Sequence, residues 1–160
     1  MKMRKWEEIP DFMRIPEVRP YYDALKEKRA SLIVKRMFDI VCSGILLVVL
    51  SPVFAVLATA IKIDSPGPVF YRQERVTQYG RIFRIHKFRT MVNDADKIGS
   101  AVTVSGDNRI TSTGAFLRKY RLDEIGQLID VLVGDMTFVG TRPEVKKYVD
   151  QYKPVMRATL

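Results

Sequence analysis

The stretch Ile40-Val41-Cys42-Ser43-Gly44-Ile45-Leu46-Leu47-Val48-Val49-Leu50-Ser51-Pro52-Val53-Phe54-Ala55-Val56-Leu57-Ala58-Thr59-Ala60-Ile61 runs for 22 residues without a formal charge. That length reads as a membrane segment. A buried core helix of a soluble protein is the competing reading, and the length and missing polar face tell against it. About forty residues, many charged and several proline, precede the run, so it is not a secretory leader. Pro52 removes a backbone donor inside the run and clashes with the preceding turn. The halves, Ile40–Ser51 and Val53–Ile61, extend only about 18 Å and 14 Å at helical rise, against a hydrocarbon core of about 30 Å. Lys35 and Arg36 stand before the run; Lys62, Arg72 and Arg75 follow it. Basic residues prefer the cytoplasmic side, so two basic flanks favour a helix that enters, bends at Ser51-Pro52 and returns. A kinked helix that spans is the alternative, since proline is common in such helices. On the re-entrant reading Ser51 bonds the carbonyl of Leu47, and water or protein must satisfy that of Val48.

Outward from this run, Met1–Pro20 holds Pro10, Pro16 and Pro20 among charges and reads as an arm. Trp6, Phe12 and Met13 either seat it on a membrane interface or are scattered surface residues. From Tyr21 a helix is expected through Lys26 and Arg29 into the apolar run. Asp64-Ser65-Pro66-Gly67-Pro68 is a turn cluster. Val69–Arg72 and Arg81–Phe88 read as two short strands around Gln78-Tyr79-Gly80. The polar stretch Asn93–Thr113, with Gly99, Gly106 and Asp107-Asn108, reads as loop. A helix over Ala115–Tyr120 leads toward a second, in which Ile125, Leu128, Ile129 and Leu132 recur at helical spacing and Gly134 marks the stop. Glu144–Tyr152 is a last amphipathic stretch.

The 27 basic and 18 acidic residues give a net charge of +9, which favours anionic partners: nucleic acid, phosphorylated small molecules or acidic lipid. Nucleic acid is set aside. Arg81–Arg89, with Phe83 and Phe88, has the flavour of a binding surface, but no helix-turn-helix or OB-like pattern accompanies it. One cysteine, Cys42, excludes an intramolecular disulfide, and one histidine with one cysteine excludes a zinc site of ordinary composition. Any metal is therefore a hard cation on carboxylates.

Asp123 and Glu124 are expected in the first turn of the Ile125–Leu132 helix, where free N–H groups and the helix dipole favour anions. Arg118 and Arg121 bring positive charge to the same place. A carboxylate nucleophile, a hard-cation ligand and a phosphate cradle all fit that spot; so does an ordinary acidic cap. Alternation puts Lys87 on the strand face of Phe83 and Ile85, an awkward site for an ammonium unless it meets an anion. A solvated edge lysine is the plainer reading. Arg142, between Gly140 and Pro143, presents a guanidinium suited to phosphate. His86 reads as a packing or surface residue and Asp135 as a turn residue.

Taken together the motifs resemble the bacterial sugar transferases, the monotopic phosphoglycosyl transferases that begin glycan assembly on a polyprenol phosphate. The matching pieces include Lys35-Arg36-Met37-Phe38-Asp39, Leu50-Ser51-Pro52, Ser65-Pro66-Gly67-Pro68-Val69-Phe70 and Lys87-Phe88-Arg89-Thr90-Met91. Arg109-Ile110-Thr111, Phe116-Leu117-Arg118-Lys119, Leu122-Asp123-Glu124, Gln127-Leu128, Gly134-Asp135-Met136 and Val139-Gly140-Thr141-Arg142-Pro143 complete the order. The resemblance implies an α+β, mostly helical fold of the small single-domain type. It divides into an arm and interfacial helix (1–34), a re-entrant membrane helix broken at Ser51-Pro52 (35–62), and a catalytic domain with a short β-hairpin (63–160) on the cytoplasmic face of the bacterial inner membrane.

It further implies that Asp123 is the nucleophile, that Glu124 is catalytic and binds Mg2+, and that Lys87, Arg118 and Arg142 line the phosphate site. The partners would be a UDP-sugar donor, a polyprenol phosphate acceptor and membrane lipids. Asp123 would take the sugar phosphate from the UDP-sugar, releasing UMP, and the polyprenol phosphate would then collect it. A carboxylate needs no general base to attack phosphorus; its difficulty is repulsion from the diphosphate, which cations relieve. Gly126 stands where the family usually has proline, and Thr141 where Gly-Pro-Arg-Pro is common. Relative to the family the sequence is short at its C-terminal end, stopping before the usual Pro-Gly-Ile-Thr-Gly region. A noncatalytic membrane-bound anion-binding or regulatory module is the rival function.

Overall fold

The apolar run folds as two helices meeting at a bend of 61°. The computed structural model describes residues 3–95 and 107–160. Most of the Asn93–Thr113 stretch, with Gly99 and Gly106, lies outside the described residues. Helix α1 is Arg19–Glu27, α2 is Arg29–Val49 and α3 is Ser51–Asp64. Among the described residues no single helix is long and apolar enough to cross a membrane, and only the bent pair α2–α3 meets that test together.

Two expectations about this region change. The helix expected to run unbroken from Tyr21 breaks at Lys28, and α1 begins at Arg19 with Pro20 in its first turn. Proline is tolerated there because that N–H has no intrahelical partner anyway. Ser51 Oγ donates to the carbonyl of Val48 (2.8 Å) rather than to that of Leu47. This is the oxygen that Pro52, lacking an N–H, cannot serve, so the serine repairs the break its neighbour makes.

After the Asp64–Pro68 turn, β1 (Phe70–Thr77) and β2 (Arg81–Phe88) pair antiparallel from Phe70↔Phe88 to Thr77↔Arg81. Strand β1 runs five residues beyond Arg72 because its polar second half finds a full ladder on β2 and the Glu144 carbonyl on its other edge, 2.8 Å from Val76 N. Helix α4 is Ser112–Lys119, α5 is Gln127–Val133 and α6 is Lys146–Val149. Only one turn of the amphipathic Glu144–Tyr152 stretch is α-helical. Gly134 ends α5 in a left-handed conformation (φ 101°), which glycine adopts without strain. The fold is thus mostly helical with one two-stranded antiparallel sheet.

Two junctions carry α2 and α3 to the rest of the chain. Leu57 and Ile61 on the inner face of α3 join Phe88 and Leu117 in the core, and Phe54, Val69, Phe70, Leu122 and Ile125 pack around them. Arg36 on α2 donates to the last carbonyls of α5, Val131 (2.6 Å) and Leu132 (2.7 Å), where the helix dipole favours a cation. Asp39, almost fully buried, accepts from Thr137 Oγ1 (2.7 Å), Lys35 and the Phe138 N–H. Outward, α2 and α3 leave Ile33, Val34, Phe38, Val48, Val56 and Ile63 largely exposed.

The arm folds back on the protein. Met13 is buried with Ile9 and Val18, and Trp6 sits edge-on to Tyr22 (5.1 Å) beneath the Arg19 guanidinium. Neither Met13 nor Trp6 is therefore a free surface anchor.

Candidate active site

Asp123 and Glu124 occupy a single 3-10 turn, Leu122–Glu124, one turn ahead of α5. They were expected inside the first turn of that helix. Two backbone features separate them: Arg121 is left-handed (φ 58°), which turns the chain out of α4, and α5 begins only at Gln127. Gly126 lets the turn lie against β2. A Cβ there would stand 2.9 Å from the His86 carbonyl oxygen and 3.1 Å from the Phe70 ring.

That close approach brings Lys87 of β2 over the turn. Its Nζ lies 3.1 Å from Glu124 Oε1 and 3.4 Å from Asp123 Oδ2, so the lysine expected to need an anion meets two. Arg142 donates to the same Glu124 oxygen at 2.8 Å. Burial alone would raise the Glu124 carboxyl, but hydrogen bonds and charge from Arg142 and Lys87 outweigh it and hold the group below the usual carboxylate range. Asp123 is buried, and its Oδ1 has no hydrogen-bond partner. A buried anionic oxygen without a donor is costly unless something bound supplies the partner.

Arg118 is placed differently. Its Nε donates to Thr90 Oγ1 (2.9 Å), and among the described residues it makes no ion pair with either carboxylate. Arg89, next to the lysine motif, is a structural cation. It donates to the carbonyls of Pro66 (2.7 Å) and Ser65 (2.6 Å), closing the turn after α3. His86 also serves the framework: its N–H and Nδ1 meet Asp130 at 2.8 and 2.6 Å, beneath the strand that carries Lys87. Asp130, nearly inaccessible, passes in the sequence for one more residue of an amphipathic helix. Only the pairing of α5 with β2 exposes its role. Ser51 and Pro52 lie at the α2–α3 bend. Thr141 bonds the Thr159 carbonyl (3.1 Å), so the departure from Gly-Pro-Arg-Pro fastens the C-terminal turn.

Among the described residues no group of three His, Cys, Asp or Glu gathers to hold a metal by itself. Mg2+ ordinarily takes only one or two protein carboxylates and completes its shell with water and substrate phosphate. Glu124, adjoining the unpartnered oxygen of Asp123, fits that share. A separate, mainly apolar cavity of about 290 Å³ lies between the arm and the Gly134–Glu144 segment, with Arg142 on its wall.

The sequence pattern of the bacterial sugar transferase family matches residues 30–159. The chain is 42% identical over 119 residues to a UDP-N-acetylgalactosamine-undecaprenyl-phosphate N-acetylgalactosaminephosphotransferase of Aeromonas hydrophila, covering 74% of this chain and 28% of that one. It is 41% identical over 125 residues to a UDP-glucose:undecaprenyl-phosphate glucose-1-phosphate transferase of Escherichia coli K12, covering 78% and 27%. An exopolysaccharide production protein of Rhizobium leguminosarum bv. phaseoli is 46% identical over 112 residues, covering 69% and 56%. The chain thus spans about a quarter to a half of the length of these relatives.

Proposed function

The chain belongs to the bacterial sugar transferase family, and from that premise we propose that it moves a sugar 1-phosphate from a UDP-sugar to a polyprenol phosphate through a covalent intermediate on Asp123. The observation that carries the reading is the unpartnered, buried Oδ1 of Asp123 beside Lys87. An Asp123 oxygen attacks the sugar-bearing phosphorus, a P–O bond forms, and the bond to the UMP oxygen breaks with its electrons, releasing UMP. An oxygen of the polyprenol phosphate then attacks the phospho-aspartyl phosphorus, and the carboxylate departs regenerated. Lys87 and Arg142 offset the charge of the diphosphate and hold Glu124 in place. Glu124 would hold Mg2+, which supplies further neutralisation of the phosphates when bound. Arg118, fixed by Thr90, would reach a phosphate rather than a carboxylate.

The same reading assigns 1–34 to an arm and interfacial helix, 35–62 to a re-entrant membrane helix, and 63–160 to the catalytic part at the cytoplasmic face of the inner membrane. Its support is the 61° bend and the apolar surface that α2 and α3 leave uncovered. The relatives' names specify different sugars, N-acetylgalactosamine and glucose. The carboxylate–cation cluster is accordingly assigned to phosphoryl transfer, not to sugar choice.

The deciding experiment mixes the purified chain with UDP-sugars, Mg2+ and undecaprenyl phosphate, and follows UMP release and the mass of the protein. The wild type should release UMP and carry a sugar-phosphate adduct on Asp123. Asp123→Asn, which keeps the shape and removes the charge, should lose at least about a thousandfold in rate. Full turnover by that variant, or an adduct on another residue, overturns the mechanism; phosphate binding with no turnover favours a noncatalytic module.

A further inference from the structure

Strand β1 carries a cation that the reaction just proposed leaves unused. Arg75 is half-buried, and its Nε is buried without a hydrogen-bond partner. The rest of its guanidinium is lightly engaged: one N–H reaches the carbonyl of Pro143 at 3.3 Å and another Gln73 Oε1 at 2.9 Å. Pro143 follows Arg142, so the two arginines approach from neighbouring segments. Burial and then the Arg142 charge lower the Arg75 pKa, partly countered by Glu144, Tyr71 and Glu124. Among the described residues no carboxylate forms an ion pair with Arg75, whereas Lys87 and Arg142 both serve Glu124.

Tethering the Arg142 loop does not account for this placement. Val76 N already holds that loop through the Glu144 carbonyl at 2.8 Å, a shorter bond than the one Arg75 makes to it. An arginine offers five donors in a planar fork suited to phosphate, and a buried donor left unmade is costly. By strand register Tyr71 stands opposite Lys87, and Gln73 and Arg75 follow on the same face of β1. A polar stripe therefore leads from the Asp123–Glu124 turn toward Arg75 and Arg142.

We infer that Arg75 and Arg142 together form a phosphate-binding site beside the carboxylate pair, filled by a phosphate monoester, either the UMP that the reaction releases or the polyprenol phosphate acceptor. The inference rests on the proposed transferase reading for its substrates, but its test reads binding rather than turnover. Calorimetric titration of the whole chain in detergent with UMP, with uridine and with a short-chain prenyl phosphate separates the sources. Arg75→Gln should weaken UMP, or the prenyl phosphate, by about tenfold, the order expected for losing one charge-assisted hydrogen bond. Whichever ligand weakens is the one the site holds. Arg75→Lys, which keeps the charge without the fork, should fall between, and uridine binding should stay unchanged in both variants.

Unchanged affinity for both phosphates in Arg75→Gln, at an unchanged melting temperature, overturns the site. So does a parallel loss of uridine binding, which would make Arg75 a support of the pocket. Should Arg75→Gln fail to fold, Arg75→Lys alone decides, by whether phosphate affinity drops. UMP release by the wild type, assayed alongside, keeps the two readings apart. Turnover with unaltered phosphate affinity in the variants sinks only the Arg75 site. Phosphate binding that depends on Arg75 without turnover sinks only the transferase mechanism.

Discussion

Lys87 places one ammonium against two carboxylates that differ in what else holds them. Glu124 has Arg142 as a second partner, while Asp123 has one oxygen near Lys87 and another with no partner at all. The asymmetry suits a division of labour in which Glu124 is fixed and Asp123 reacts. Glu124→Gln should therefore raise the Mg2+ concentration needed for UMP release or abolish release, while the position of any adduct stays at Asp123. Wild-type behaviour across a magnesium titration would remove the metal role. The same residue predicts a pH effect. The pKa of its carboxyl is lowered in the folded protein, so the stability it contributes is fully present above the unfolded value of about 4.5. That contribution is lost as pH falls through the lower folded value. The gap in unfolding free energy between wild type and Glu124→Gln, about 1 kcal/mol for a cluster still partly open to solvent, should close on acidification. A gap that is flat or widens below pH 4 would contradict it.

At the scale of elements, the α2–α3 bend has a local cause and a distant use. Pro52 and the Ser51 hydroxyl make it, and the inner face of α3 then reaches Phe88 and Leu117, on which Leu122 and Ile125, flanking the Asp123–Glu124 pair, rest. Replacing Ser51 and Pro52 by Ala and Leu restores a continuous apolar helix of about 33 Å, long enough to cross a bilayer. Single cysteines placed before Lys35 and after Lys62 should label from one face of a vesicle in the wild type and shift toward opposite faces in the double variant. Opposite faces in the wild type would reject re-entry and leave the carboxylate assignment standing. The break was legible because proline acts on its own turn. The start of α5 was not: its apolar spacing continues smoothly back through Ile125, and what stops the helix there is the left-handed Arg121 and the packing of Gly126 on β2. Those are tertiary facts, without trace in the periodicity. The reach of β1 escaped for the same reason, since Gln73–Thr77 become strand only by pairing.

Across the whole molecule, the candidate site was legible as a set of charges and illegible as a geometry. Asp123 and Glu124 announce themselves by adjacency, but that Lys87 bridges them depends on the hairpin register, and Asp130 and Arg75 gain meaning only from partners 44 and 68 positions away. The arm is the largest addition that the fold makes. The family match begins at residue 30, yet residues before it close over the hairpin tip and the C-terminal turn. Arg4 N bonds Tyr79 Oη at 2.9 Å, Arg157 bonds the Phe12 carbonyl at 2.9 Å, and Tyr79 N bonds the Leu160 carbonyl at 2.7 Å. Ile9, Met13 and Val18 are each only 4% exposed, so the arm contributes apolar burial to the domain rather than hanging from it. Truncating such a side chain costs roughly 2–4 kcal/mol. None of the three touches Lys87, Asp123 or Glu124 through any hydrogen bond or ion pair. Ile9→Ala and Met13→Ala should accordingly lower the denaturant midpoint markedly while UMP release per folded molecule stays within about twofold, because the carboxylate cluster is assembled by β2 and α4–α5. A large fall in rate at unchanged stability would instead place the arm in the reaction, acting through the cavity wall it shares with Arg142.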